Sequence, residues 1–151
     1  MGYANSESDS CSTITSALNL VIGRRQIHRE ERHPRVRSCE NTDGTVSITV
    51  FTPGLEKGST RHSPRNGDVH FWWINNHGFW LQVIVRDDMN NKETSFFRKV
   101  RQFPSEINIQ KSYWKVKNGE IAIKVTKADN SCWRPLLWSK GLDQYTSDED
   151  V

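Results

Sequence analysis

Histidine and cysteine are the residues of this chain that most often carry catalysis or bind metal, and their spacing supports neither. The 151-residue chain contains His28, His33, His62, His70, His77, Cys11, Cys39 and Cys132. The histidines follow no pattern that suggests a catalytic triad or a metal site. The cysteines are too far apart for a zinc motif or a disulfide framework, which favours reduced thiols in a cytoplasmic or nuclear protein. We therefore predict that the protein is not an enzyme and needs no cofactor.

Aromatic side chains point to a different chemistry, the binding of other proteins. The segment 71–80, FWWINNHGFW, is the densest aromatic patch, and most of the tryptophans lie in the middle of the chain. On a strand, Phe71 and Trp73 face one side while Trp72 faces the other. Either both faces are buried, in the sandwich or by the N-terminal arm, or Trp72 lies on an exposed aromatic face of the kind that binds partners.

Charge and hydropathy exclude some classes of partner. The net charge is only +3, which is too weak on its own to indicate nucleic-acid binding. An arginine-rich stretch at 24–37 keeps a nucleic-acid-associated adaptor as a less favoured alternative. No apolar run approaches the roughly 20 residues of a membrane span, so we expect no membrane association. The polar first ten residues argue against a secretory signal.

Period-two alternation is the main structural signal. Residues 112–127, SYWKVKNGEIAIKVTK, predict a β-hairpin closed at Asn118-Gly119 by a type I′ turn, in which both central residues have positive φ. We expect another turn from Asn75 to Gly78, with Gly78 at the position that needs positive φ. Further strands are predicted at 45–50, 68–74, 79–85, 95–103 and 107–109.

About seven short strands, spaced by roughly 8–12 residues without helical periodicity, predict an all-β fold, a seven- to eight-stranded antiparallel β-sandwich. We assign the sandwich to residues 45–138. Residues 1–44 are predicted to be a disordered or partly helical basic arm, with a short helix around 14–30, since Pro34 interrupts the arginine-rich stretch. Residues 139–151 are predicted to be a disordered acidic tail. Ser147 precedes three acidic residues and is a candidate phosphorylation site.

The end of the predicted sandwich resembles the CS domain of p23-like Hsp90 cochaperones and of Sgt1-like and NudC-like proteins. The residues that carry the resemblance are Ser112 and Trp114 before the turn, Gly119 within it, Lys127 at the end of the strand, and Trp133 with Leu136 after it. Residues 95–110 and 117–127 are similar to the related α-crystallin domain of small heat-shock proteins. Both families share the HSP20-like sandwich, so both resemblances imply the same fold.

The resemblance implies a non-enzymatic cochaperone or adaptor that binds an Hsp90-type chaperone or a dedicated client protein, as a monomer or small oligomer. It implies that Lys127 and Arg134 pair with partner carboxylates and that Trp138 is an apolar anchor. We also expect Trp133 to plug the end of the sandwich. The candidate partner-binding residues are Lys127, Trp133, Arg134, Leu136 and Trp138, together with Trp72 of the aromatic patch.

A small heat-shock-like holdase, which prevents aggregation of unfolding proteins, is the alternative function. Small heat-shock proteins build large oligomers through an Ile-x-Ile motif near the end of the chain. No such motif follows Leu137, which favours the CS interpretation.

Overall fold

The computed structural model describes residues 27–146, which form eight strands and one short helix. The elements are β1 (His28–Arg32), β2 (Val36–Glu40), β3 (Thr45–Phe51), β4 (Gly67–Ile74), β5 (Gly78–Asp87), β6 (Lys92–Val100), β7 (Ile107–Lys117), β8 (Glu120–Lys127) and α1 (Arg134–Ser139).

The strands form two four-stranded sheets, with strand orders β1-β6-β5-β4 and β2-β3-β8-β7. The predicted all-β sandwich is therefore confirmed. One detail differs, because β1 runs parallel to β6 while the other strand pairs described are antiparallel. The chain reaches this arrangement by crossing from the first sheet to the second between β1 and β2.

The alternating strands β3 and β8 provide the centre of the core. Val46 lies opposite Val125, and Ile48 lies opposite Ile123, with all four side chains buried. On β4, Phe71 and the other side chains of its face pack against this core from the opposite sheet. Directly opposed apolar pairs of this kind fix the register, because a one-residue slip would turn every side chain to the other face.

The hairpin between β7 and β8 is confirmed, but its predicted turn type is wrong. Gly119 has a φ of 77°, whereas Asn118 is not among the residues with positive φ, so the pattern is that of a type II turn. The loop between β3 and β4 explains the difference, because two of its residues form hydrogen bonds with the turn. The Asn118 side chain accepts a hydrogen bond from the Lys57 N–H at 2.9 Å. The Gly119 N–H donates to the Leu55 carbonyl at 2.7 Å. The turn is therefore shaped by tertiary contacts as well as by its own residues.

The turn between β4 and β5 also differs from the prediction. Asn75, with a φ of 50°, takes the left-handed conformation that we expected at Gly78. Gly78 is instead the first residue of β5. A Cβ atom at this position would lie 2.1 Å from the Val100 carbonyl oxygen, so glycine is required by the close approach of the neighbouring strand.

The predicted disordered or partly helical arm at 1–44 is wrong for residues 28–40, which form β1 and β2. Both strands lie at sheet edges, where one face and one side remain in contact with water, so a charged sequence can pair there. Neighbouring groups compensate the charges. Arg29 pairs with Glu93 at 3.1 Å, and the Arg35 guanidinium lies 4.7 Å from the centre of the Phe51 ring. The expected helix around 14–30 falls largely outside the described residues.

The ordered fold also extends past residue 138, into the predicted acidic tail. Leu142 is buried in the core. The Gln144 N–H donates to the Gln102 carbonyl at 2.6 Å, and the Gln102 N–H donates to the Asp143 carboxylate at 3.1 Å. Helix α1 was not predicted either, because six residues are too few to show a helical period. Ser147 lies outside the described residues.

Gly78→Ala should lower the free energy of unfolding by about 3 kcal/mol, because the added methyl group overlaps a backbone oxygen that cannot move aside. Gly119→Ala is the matched control. It has no atom within 4 Å of its added Cβ and should cost only about 1 kcal/mol for the left-handed conformation. Urea unfolding followed by tryptophan fluorescence measures both values, and equal losses would contradict the steric requirement for glycine at position 78.

Candidate protein-binding surfaces

A buried carboxylate at the end of β2 organises the region that follows β8. The Glu40 side chain is only 7% exposed, and the Lys127 ammonium, 8% exposed, donates a hydrogen bond to it. Glu40 also accepts hydrogen bonds from the Trp133 N–H and the Arg134 N–H, each at 3.0 Å, and from the Cys132 thiol at 3.4 Å. We call Glu40, Lys127 and the three donors at 132–134 the Glu40 cluster.

The contacts of the Glu40 cluster favour the ionised carboxylate. The hydrogen bond from Lys127, followed by the one from the Trp133 N–H, lowers the pKa of Glu40 from 4.5 to about 2. Glu40 is therefore negatively charged at any pH at which a cell operates. A buried carboxylate is stable only when such partners compensate the loss of water.

Lys127 is not available to a partner protein. Its ammonium group is buried between Glu40 and the Ser131 carbonyl, to which it donates at 2.6 Å. The prediction that Lys127 pairs with a partner carboxylate is therefore wrong, because its charge is already neutralised inside the fold.

Trp133 is a core residue. Its side chain is fully buried, and its ring stacks on Phe103 with 5.5 Å between ring centres. Its indole N–H donates to the Ser105 hydroxyl at 2.7 Å, so the polar atom of the ring is satisfied. Trp133 thus fills the end of the sandwich as expected, and this burial leaves no part of it to contact a partner.

The exposed side of α1 is the first candidate binding surface. Trp138 is 91% exposed, and Leu136 and Arg134 are exposed beside it, while Leu137 packs against the core. A six-residue helix is not stable alone in water. Here the Glu40 carboxylate caps the first turn from another strand. We call Arg134, Leu136 and Trp138 the helix surface.

The outer side of the first sheet carries the second candidate surface. Trp72 is 53% exposed and stacks on Trp80, its neighbour on β5, with 4.1 Å between ring centres and 7° between ring planes. Phe97 of β6 contacts the edge of Trp80 and is also exposed. The sandwich itself therefore does not bury Trp72, and most of the N-terminal arm that was the other possible cover lies outside the described residues. We call Trp72, Trp80 and Phe97 the aromatic face.

Sequence reasoning missed Glu40. It lies 87 residues from Lys127 and 93 from Trp133, and no local pattern marks a glutamate on an edge strand as buried. It follows an arginine-rich stretch, and a glutamate in such surroundings is usually an exposed charge. Its role follows only from the pairing of β2 with β3, which places it beside the end of β8.

The described residues contain no cluster of three or more His, Cys, Asp or Glu side chains that could hold a metal ion. In the same part of the chain, no helix is long and apolar enough to cross a membrane.

Comparison with known proteins leaves the family open. No family model matches the chain, and no curated protein matches it. Among solved structures, heat shock protein 16.0 from Schizosaccharomyces pombe is similar at 19% sequence identity and a TM-score of 0.49. The match covers 67% of this chain and 92% of that protein. A likeness at this level carries no argument about function.

Glu40→Gln should destabilise the protein by about 3–5 kcal/mol, because it leaves the buried Lys127 charge without a compensating carboxylate. Glu120→Gln is the matched control, since Glu120 forms a 4.0 Å pair with Lys117 at the surface, and it should cost less than about 1 kcal/mol. Chemical denaturation gives both values. A loss at Glu40 no larger than the loss at Glu120 would show that the Glu40 cluster does not stabilise the fold.

The lowered pKa of Glu40 makes a separate prediction about acid. Its contribution to stability is complete above its ordinary pKa of 4.5 and is lost as the pH falls towards about 2, where the folded protein takes up the proton. Other carboxyl groups, such as Asp129, also have a lowered pKa, so both proteins should lose stability in acid. The free energy of unfolding should fall more steeply in this range for the unmodified protein than for Glu40→Gln. Parallel curves would contradict the assignment.

Proposed function

We propose that this protein is a non-enzymatic adaptor of the CS type that binds another protein through the helix surface. The observation that carries the proposal is the exposure of Trp138, which is 91% accessible on a helix fixed to the core by Glu40. Leu136 is exposed beside it on the same helix, so Trp138 belongs to an apolar patch rather than standing alone. Tryptophan is also the residue most enriched at the energetic centres of protein interfaces.

The way in which the helix surface is held supports this role. Leu137 packs on the core, and the chain after α1 is anchored by buried Leu142, so the helix is fixed at both ends. A surface that is already ordered loses little conformational entropy when it binds. Trp138 and Leu136 would provide the apolar contact. The exposed Arg134 would orient a partner carboxylate, a role that Lys127 cannot share.

An Hsp90-type chaperone is the partner that the sequence resemblance favours, with a dedicated client protein as the alternative. The support is the run of CS-like residues from Ser112 to Leu136, which ends at the helix surface. The binding need not require a cofactor, since the contact consists of side chains on a preformed surface. A cytoplasmic or nuclear location agrees with this partner and with the free thiols Cys39 and Cys132.

A small heat-shock-like holdase is the second candidate, and the aromatic face favours it. Exposed apolar surface of that extent can capture unfolding chains. However, a loop covers part of the β7 edge, where a captured strand could add. The Val116 N–H donates to the Arg61 carbonyl at 2.7 Å, and the His62 ring stacks on Trp114 at 3.8 Å. Suppression of the aggregation of a heated client, without nucleotide, would distinguish this function.

Trp138→Ala should abolish partner capture while leaving the fold intact, because the side chain makes almost no contact within the protein. We expect recovery of an Hsp90-type chaperone from cell lysate, increased by a slowly hydrolysed ATP analogue, to fall at least about tenfold in this variant. Purified chaperone in a calorimetric titration should give the same difference.

Trp133→Ala is the contrasting variant. It should cost about 3–5 kcal/mol in stability, as the deletion of a buried aromatic side chain does. If Trp138→Ala unfolds the protein to the same extent, or if the folded variant still binds the chaperone normally, the helix surface is not the binding site.

A further inference from the structure

A groove beside the aromatic face has the shape and charge of a binding site of its own. The outward side chains Trp72 and Trp80 form one side of it. The loop from Arg101 to Glu106, together with Tyr145 from the segment after α1, forms the other. The cavity volume is about 890 Å³. That is within the usual range of ligand-binding pockets.

The groove is apolar at its centre and basic along its edge. Lys99 lies opposite Trp80 in the register of β5 and β6, and Arg101 follows on the loop. Neither Lys99 nor Arg101 forms an ion pair or a side-chain hydrogen bond within residues 27–146. The Arg101 guanidinium lies 4.5 Å from the centre of the Tyr145 ring, which orients it without neutralising it.

Lys99 and Arg101 differ in this respect from Arg86 and Lys92 of the first sheet. Arg98 of β6 also lacks an ion pair within the described residues. Arg86 on β5 pairs with Asp68 at 2.5 Å, and Lys92 on β6 pairs with Glu30 at 3.1 Å. Among the described residues that line the groove, Glu106 is the only carboxylate. The two cations nearest the exposed tryptophans are therefore left without an internal counter-charge in the described part of the chain, and an incoming anionic group would complement them.

We propose that this groove binds an extended acidic peptide segment of a partner protein. An apolar side chain of the peptide packs on the exposed Trp72–Trp80 pair, on the groove side. Carboxylates on either side of it pair with Lys99 and Arg101, whose guanidinium can accept a carboxylate in bidentate geometry. This site is independent of the helix surface, and it does not rest on the proposed binding of a chaperone there.

A single-stranded nucleic acid fits the groove less well, although it is also anionic. Such ligands need a track of cations along the phosphates and aromatic rings spread apart so that successive bases can stack on them. Here the Trp72 and Trp80 rings stack on each other at 4.1 Å, and the groove supplies two permanent cations opposed by Glu106. The ligand class is therefore acidic peptide.

Fluorescence anisotropy with the full-length protein tests the proposal. The probe is a short fluorescein-labelled peptide of alternating Glu and Leu, compared with the same peptide carrying Gln in place of Glu and with labelled oligothymidine. We expect the Glu peptide to bind and the Gln peptide to bind much more weakly, with the difference shrinking as salt is added. Equal binding of the two peptides, or binding of oligothymidine alone, would overturn the proposal.

Variants locate the site. Trp72→Ala should weaken binding of the Glu peptide about tenfold, and the double variant Lys99→Gln with Arg101→Gln about fivefold. The matched control is Lys111→Gln with Lys115→Gln, which removes the same charge from exposed positions on the other sheet and should leave affinity unchanged. Equal losses in both double variants would show nonspecific attraction and overturn the site.

Two further variants test whether the peptide occupies the groove or another part of the protein, and whether the groove is already filled. Trp138→Ala should bind the Glu peptide normally, since the helix surface is a different site. A loss there would place the peptide on α1 and contradict the groove. If binding appears only after residues 147–151 are deleted, the occupant is the chain's own acidic segment, and the assignment to a partner protein is wrong.

Discussion

The compensated burial of one carboxylate is the constraint on which the rest of the structure depends. Glu40 ends an edge strand, yet its hydrogen bonds reach the last residue of β8 and the first turn of α1. A buried charge of this kind is stable only if all its partners are in place. It therefore couples the pairing of β2, the path of the chain after Lys127 and the presentation of Trp138. The exposure of Trp138 on α1 therefore depends on the burial of Glu40 beneath the start of that helix.

The sandwich could be predicted from sequence because its central strands carry their own signal. On these strands buried residues such as Val46 and Ile123 alternate with residues of the other face, and this period of two indicates a half-buried β-strand rather than a helix. The edge strands β1 and β2 carry no such signal, since they are ordered by the sheets that they join. Trp72 and Trp138 are exposed, as their binding interpretations required, but the role of Lys127 could not be foreseen. Whether a lysine is paired inside the fold depends on a residue far away in the chain.

The residues that suggested a family also have structural tasks of their own. The Ser112 hydroxyl donates to the Asn108 carbonyl at 2.7 Å and accepts the Thr126 N–H at 3.0 Å, spanning the irregularity in β7. Lys127 and Trp133 belong to the interior. These motif residues therefore indicate how the sandwich is closed. The side chains that could contact a partner lie at the end of the motif or beyond it. A resemblance in such a motif thus predicts the fold more directly than it predicts which partner is bound.

The long separations within the Glu40 cluster have a consequence for synthesis on the ribosome. β1 and β2 leave the exit tunnel before several of their partners: β1 must wait for β6, and Glu40 must wait for residues 127–134. β2 can pair at once with β3, but until the later residues emerge the nascent chain offers an unpaired β1 and a Glu40 carboxylate that must remain in water. Contacts so distant in sequence also slow folding, because a large loop must close before they form. Closure of this domain therefore comes late in its synthesis, and β1 is the strand that most needs protection until its partner has emerged.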